Sequence, residues 1–101
     1  MTARTVRIGG AAAAWGDTLL GARQLVEKGD VDYLVGDYLA EVTMALLARA
    51  RAKSPDGGFV PDWLASVEPV LPEIHKKRIR LVTDSGGMNP AACRDAFVAA
   101  A

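Results

Sequence analysis

The sequence has few of the residues that build disulfides or metal centres. Cys93 is the single cysteine, which excludes an internal disulfide and a cysteine-built zinc site and is typical of a reducing compartment. Long apolar runs are also missing, because the most apolar stretch near the start, residues 8–15, consists mostly of glycine and alanine. Such a stretch is too short and too weak for a signal peptide or a membrane span. We therefore expect a cytoplasmic protein that has no membrane partner.

The chain also lacks a charge of one sign. Its 12 lysines and arginines balance 12 aspartates and glutamates, so the formal net charge is +0. Nucleic-acid-binding proteins need clustered cations to contact phosphates, so this balance excludes nucleic acid as the expected partner. What the chain does have is 50% hydrophobic and 24% charged residues among 101. That composition is typical of one small, ordered globular domain.

The spacing of apolar residues predicts alternating strands and helices. Asp17 and Asn89 are expected to cap the first and last helices, and Pro69 and Pro72 to kink the third. One apolar side of the second helix is formed by Leu39, Val42, Leu46 and Ala50. Strands are predicted at residues 5–9, 31–35 and 79–83. Helices are predicted at residues 18–28, 39–53, 73–77 and 89–101, and a further short helix begins at residue 61 and contains Trp63 and Val67.

The resulting order, β-α-β-α-α-β-α, predicts an α/β fold: a small parallel sheet with helices on both faces, in three layers. Its connections are expected to be right-handed. Parallel sheets are normally buried on both faces and extended by further strands, so three strands suggest half of a larger Rossmann-like domain. We therefore expect residues 1–101 to form a single, incomplete unit. Its open sheet edges would be covered by missing C-terminal residues or by a second copy in a homo-oligomer.

Ligands of open parallel sheets bind outside the carboxyl ends of the strands, where residues 9–17, 36–41 and 84–90 are expected to form loops. Gly86 and Gly87 precede a helix and could turn backbone N–H groups toward an anion, or could simply form a tight turn. The first loop does not match the dinucleotide fingerprint, because alanines stand where glycines are needed. The expected ligand-binding residues are Gly9, Gly10, Trp15, Asp17, Ser85, Gly86, Gly87 and Asn89.

Three acids in these loops, Asp37, Glu41 and Asp84, are the candidate catalytic residues. If the second and third strands are neighbours, the carboxylates could bind Mg²⁺ or form an acid–base pair, as in a phosphohydrolase-like enzyme. They could equally be solvated carboxylates and a helix cap. No dedicated metal ligand set and no cofactor are identified.

Three further residues each have a simpler interpretation. His75 is expected at a helix end on the surface, and Cys93 as a small buried residue. Tyr38, like Trp15, could wall an apolar pocket or pack in the core.

Three segments together resemble the acyclic terpene utilisation A (AtuA) family: residues 29–43, Trp15-Gly16-Asp17 before them and residues 83–90 after them. The resemblance extends from about Val6 to Cys93 and implies the N-terminal part of a protein several times longer. It further implies a bacterial cytoplasmic protein linked to the degradation of citronellol- and geraniol-type terpenes, which proceeds through acyl-CoA thioesters. In the family the third loop reads Thr-Asn-(Ala/Gly)-Gly, so Asp84 places a charge where the family has a neutral amide. The resemblance assigns no catalytic residue.

Two functions are consistent with these observations. In the first, the loops form part of a site for an acyl-CoA-like metabolite in terpene catabolism. In the second, the chain is a non-enzymatic interaction or assembly domain that pairs with another chain through an exposed sheet edge.

Overall fold

The protein is an α/β unit, and its elements follow in the predicted order. The computed structural model describes residues 4–101. It contains β1 (Ile8–Ala12), α1 (Leu20–Lys28), β2 (Tyr33–Gly36), α2 (Glu41–Lys53), α3 (Asp62–Val67), a 3-10 turn (Glu68–Val70), α4 (Leu71–Lys77), β3 (Arg80–Thr83) and α5 (Pro90–Ala100). The 3-10 turn interrupts the third helix where Pro69 was expected to kink it. None of the helices in this part of the chain is long and apolar enough to cross a membrane.

The sheet has the strand order β1-β2-β3, and both pairs are parallel, as predicted. β1 begins at Ile8, however, so Gly9 and Gly10 lie inside the strand and not in the loop that the sequence suggested. At Gly9 the reason is close packing: a β-carbon there would come 2.9 Å from Val31 Cγ1 and 3.0 Å from Leu25 Cδ1. Glycine inside a strand often marks such an approach and not the end of the strand.

Helices pack on one face of this sheet. Gly9 pairs with Leu34, and Gly36 lies two residues beyond Leu34, so all three point to the same side. On that side, a β-carbon at Gly9 would meet Leu25 of α1, and one at Gly36 would overlap the ring of Trp63 in α3. The predicted third layer is therefore wrong for residues 4–101, which form two layers. The strand order explains this, because two right-handed connections that advance in the same direction must cross the same face.

The core lies between this face and the helices. Leu34 is fully buried, and the ring of Trp63, almost fully buried, meets Tyr38 edge to face with 6.2 Å between the ring centres. Lys77 Nζ donates a hydrogen bond of 2.7 Å to the carbonyl of Val26, near the end of α1 where a cation is favoured. The buried apolar residues include Ala22, Val26, Leu34, Tyr38, Leu47, Val60, Trp63, Val67, Val70 and Ile74.

The opposite side of the sheet, here termed the open face, consists of two rows of side chains. Their register sets Ile8, Tyr33 and Arg80 in one row and Gly10, Val35 and Val82 in the next. Ile8 is 68% exposed and Val82 is 51% exposed. A β-carbon at Gly10 would meet nothing within 4 Å. Within residues 4–101, then, no element covers this face.

Two details of the helices differ from the prediction. Helix α1 begins at Leu20 and has no side-chain cap, so Asp17 is not its N-cap. In α2 the predicted apolar side is largely solvent-exposed at Val42 and Leu46, whereas Thr43 and Leu47 are buried. Leu47 is held against the third loop, because a β-carbon at Gly87 would overlap its side chain. A distant loop, and not the helical spacing, therefore decides which side of α2 is buried.

Helix α5 begins as predicted. The side-chain oxygen of Asn89 accepts a hydrogen bond of 3.3 Å from the backbone N–H of Ala92, and Pro90 occupies the first helical position. Cys93 is buried on this helix and His75 is exposed in the last turn of α4, both as expected.

Candidate functional site

The carboxyl ends of the three strands lie side by side at one edge of the sheet, here termed the carboxyl edge. Because β2 lies between β1 and β3, the segments that follow them, residues 13–19, 37–40 and 84–89, are neighbours. Two hydrogen bonds join these strand ends. The Asp37 N–H donates to the carbonyl of Ala12 at 3.1 Å, and the Thr83 hydroxyl donates to the carbonyl of Gly36 at 2.8 Å. The predicted meeting of the three loops is therefore present.

In the first loop, the carboxylate of Asp17 organises the backbone. One oxygen accepts from the N–H of Ala13 at 2.9 Å and the other from the N–H of Thr18 at 2.8 Å. These two hydrogen bonds, the one from Ala13 foremost, hold the pKa of Asp17 below its ordinary value. Gly16 has φ +90°, a conformation that favours glycine. Trp15 beside it is half-buried and packs against the core, so Asp17 shapes the loop that presents this ring.

The candidate catalytic acids do not form one cluster. Asp37 and Glu41 are exposed, and Asp84 is half-buried. One oxygen of Asp84 accepts a hydrogen bond of 2.9 Å from the N–H of Tyr38, so this carboxylate tethers the second loop to the third. In residues 4–101 no group of three histidines, cysteines, aspartates or glutamates is placed to hold a metal ion. The alternative of a Mg²⁺ site at these three acids thus finds no support in this part of the chain, although their loops are adjacent.

The third loop uses its backbone donors internally. Gly87 has φ +52° and contacts Leu47, and Ser85 is completely buried. Three hydrogen bonds are local: Ser85 N–H to Thr83 Oγ1 (3.0 Å), Gly87 N–H to the Asp84 carbonyl (3.1 Å) and Asn89 N–H to the Gly86 carbonyl (2.8 Å). A fourth joins Met88 N–H to the carbonyl of the distant Gly58 (2.8 Å). An anion would need free N–H groups here. The structure thus has the tight turn that was the alternative interpretation of Gly86 and Gly87.

Asn89 has a second role that the sequence does not reveal. It is buried, and its side-chain nitrogen donates to the carbonyls of Pro55 and Gly57, each at 2.9 Å. With the cap to Ala92, its amide is fully occupied, so Asn89 holds the turn at residues 54–58 against the start of α5. The partners are more than thirty residues away along the chain, and no local pattern indicates such a contact.

Tyr38 is a core residue, which decides between its two predicted roles. Burial raises the pKa of its hydroxyl above the ordinary value, and the Ser66 hydroxyl opposes this rise. Nearby carboxylates raise the pKa further, since a second negative charge beside them is unfavourable; these are Asp62, Asp17 and Asp84.

The two edges of the sheet carry opposite charges. Residues 13–19, 37–41 and 84–89 contain Asp17, Asp37, Glu41 and Asp84 but no lysine or arginine. At the amino ends of the strands, the amino edge, a cleft of about 560 Å³ is lined by Arg4, Thr5, Val6, Asp32, Tyr33, Arg78 and Arg80. The ion pairs within residues 4–101 are Arg23–Glu27 and Arg94–Asp95, so none of these three arginines is paired there.

One comparison with known proteins gives a match. Residues 6–101 match the family described as acyclic terpene utilisation family protein AtuA, nearly the whole chain. No curated protein and no solved structure gives a significant match. The family resemblance of the three segments is thereby confirmed, while membership in a larger Rossmann-like domain stays a prediction.

Proposed function

Since the chain belongs to the acyclic terpene utilisation family AtuA, we propose that it serves this catabolism by contributing its carboxyl edge to a site for an acyl-CoA-like metabolite. The observation that supports this most is the adjacency of the three loops. It places the half-buried ring of Trp15 on a loop next to the one that carries the exposed Asp37. An apolar wall with a few polar groups is the usual make-up of a small-molecule site.

The charge of the carboxyl edge indicates which part of such a metabolite binds there. The carboxylates of Asp17 and Asp37 repel the phosphates of a nucleotide, and in the third loop the N–H groups of Ser85, Gly87, Met88 and Asn89 are already hydrogen-bonded. The amide N–H groups of a pantetheine arm can donate to carboxylates, and an apolar acyl chain can pack on Trp15. The acyl-pantetheine portion therefore lies at this edge, and the nucleotide phosphates lie outside it.

A titration of the 101-residue chain with a branched acyl-pantetheine, followed by two-dimensional amide NMR, tests the proposal. We expect shifts in residues 13–19 and 37–41, and binding at least five-fold weaker in Trp15→Ala. Trp15→Phe should retain most of the affinity. Val98→Ala is the matched control, because Val98 is 70% exposed on α5. Shifts confined to other residues, or equal affinity of Trp15→Ala and the parent chain, would refute the site.

Assembly through a sheet edge is the alternative function, and one observation favours it. In the described structure β1 and β3 each have one side without a partner strand, and Arg80, Val82 and Thr83 of β3 are exposed. Such edges can pair with another chain. If they do, alternate amides of β3 or β1 should exchange more slowly with solvent as protein concentration rises. Exchange rates that are independent of concentration would exclude this pairing.

A further inference from the structure

We propose that the open face packs against the open face of a second copy of this chain, with the strands of the two sheets running in opposite directions. This surface is distinct from both the carboxyl edge and the unpaired strand edges, so the inference goes beyond the functions proposed above. Three properties support it: the apolar side chains of the face, the accessible surface of the chain and the distribution of charge.

The first property is the exposure of large apolar side chains on a parallel sheet. Ile8 and Val82 are 68% and 51% exposed, and Val6 at the end of the face is 49% exposed. Gly10 leaves a hollow beside Ile8 on β1, with no atom within 4 Å of its β-carbon position. Parallel sheets are normally covered on both faces. A second sheet about 10 Å away would bury these side chains.

The second property is the total accessible surface. The chain exposes 6754 Å², whereas a folded monomer of this mass exposes about 5,500 Å². The difference is larger than the roughly 800 Å² that each partner buries in a standard interface. The radius of gyration of 14.4 Å likewise exceeds the roughly 13 Å expected for a compact domain of this length. These values describe the whole chain, whose surplus surface exceeds what a stable contact needs and includes the exposed side chains of the open face.

The third property, the charge distribution, selects both the occupant and its orientation. Arg4, Arg78 and Arg80 outnumber the single acid, Asp32, in the lining of the amino-edge cleft, whereas the segments of the carboxyl edge carry acids and no cations. Consider a two-fold axis that lies midway between the two sheets, parallel to their planes and perpendicular to the strands. Such an axis places each amino edge over the partner's carboxyl edge. Each contact between opposite charges then occurs twice, because a two-fold symmetric interface repeats every contact. The other face-to-face arrangement, with strands in the same direction, would place like charges together.

The side chains of the face are arranged as in a protein interface. Val35 of the central strand lies in the middle of the face. The guanidinium group of Arg80 lies 6.0 Å from the centre of the Tyr33 ring, in the row nearest the amino edge. An apolar centre and a charged rim are the usual anatomy of a protein interface.

Analytical ultracentrifugation of the 101-residue chain tests the proposal with a matched pair of variants. Val82→Asp places a carboxylate on the open face, where Val82 is 51% exposed, and Val98→Asp places one on α5, where Val98 is 70% exposed. We expect the parent chain and Val98→Asp to form dimers at micromolar to submillimolar concentration, and Val82→Asp to dissociate at least ten-fold more readily. Circular dichroism would verify that both variants fold, which their exposure favours.

The charge distribution supplies a second test. Arg80→Glu should weaken the dimer at least three-fold at low salt, and 0.5 M NaCl should weaken the parent dimer in the same direction. A parent chain that stays monomeric at millimolar concentration would overturn the proposal. Equal dissociation of the two valine variants, or an Arg80→Glu dimer as tight as the parent, would overturn it as well.

Discussion

The two faces of the sheet differ in the size of the residues that they carry. On the covered face Gly9 and Gly36 leave room for α1 and α3 on either side of the buried Leu34, and much of the core comes from helices, above all from Trp63. On the open face the larger Ile8 and Val82 project without a partner. The comparison shows that hydrophobicity alone does not identify the covered side of a parallel sheet. Glycines whose β-carbon position is filled by a helix side chain, as at Gly9 and Gly36 but not at Gly10, identify it more clearly.

The carboxyl edge adds a second contrast, between loops that look alike in sequence. The third loop is joined to the rest of the fold through Ser85 and Asn89, which are buried and hydrogen-bonded. The first loop is shaped mainly by Asp17, whose side chain bonds only within the loop. Two loops with similar sequences can thus differ in how firmly they are attached to the fold. Their hydrogen-bond partners, and not their glycines, show the difference.

The largest effect should come from removing the main side chain of the covered face. Trp63→Ala should lower the free energy of unfolding by about 3–5 kcal/mol, because it leaves a large cavity beside Gly36 and Tyr38. Val82→Ala on the open face should cost under about 1 kcal/mol in dilute, monomeric protein. Urea unfolding measures both. Similar losses in the two variants would mean that the faces do not differ in burial.

A pair of glycine variants compares the faces with the same chemical change. Gly36→Ala should destabilise the chain by about 1–3 kcal/mol, because the added methyl group overlaps the Trp63 ring. Gly10→Ala, on the open face, should be neutral or slightly stabilising, since it meets no atom and restricts the unfolded chain. Thermal unfolding of dilute protein would compare them. A loss in Gly10→Ala as large as that in Gly36→Ala would contradict the assignment of faces.

The titration of Tyr38 gives a smaller effect on the covered side. Because burial raises its pKa in the folded protein, the unfolded chain ionises first on going to alkaline pH. Its contribution is fully present below about pH 10, the ordinary tyrosine value, and is lost as the pH rises through the folded pKa. Tyr38→Phe should therefore lose less stability between pH 9 and pH 11 than the parent chain. Parallel pH profiles in urea unfolding would argue against a buried hydroxyl.

The smallest effect belongs to Asp17, which is fully exposed. Its folded pKa is lowered by the N–H groups of Ala13 and Thr18, so its contribution is present above about pH 4. That contribution is lost as the pH falls through the folded pKa. Carboxyl NMR titration should place its midpoint below that of a free aspartate, and Asp17→Asn should shift mainly the amides of residues 13–18. A midpoint at or above the free value would show that the loop is not held by this carboxylate.

Much of the fold could be predicted from local patterns. The order of elements, the parallel sheet and the cap at Asn89 follow from spacing, turn residues and helix-start chemistry, which act within a few residues. The errors concern residues whose state depends on distant partners. Gly9 and Gly10 suggest a loop but lie in β1, and the buried side of α2 is set by Leu47 meeting Gly87.

The candidate site was predictable in its position but not in its contacts. The sequence indicated that three loops meet at the carboxyl edge, because parallel strands end together. It did not indicate that Asp84 bonds to the N–H of Tyr38 or that Asn89 bonds to the turn at residues 54–58. These contacts join segments more than thirty residues apart, so no local pattern indicates them.

The sequence by itself determined the type of this protein: an α/β chain of balanced charge that matches the AtuA family over residues 6–101. Only the tertiary structure decided which sheet face is covered, which loop amides are free and where the arginines gather. The physical reason is the distance along the chain over which each interaction acts. Periodicity and capping act between neighbours along the chain, whereas layer number, burial and the separation of charge follow from the strand order β1-β2-β3.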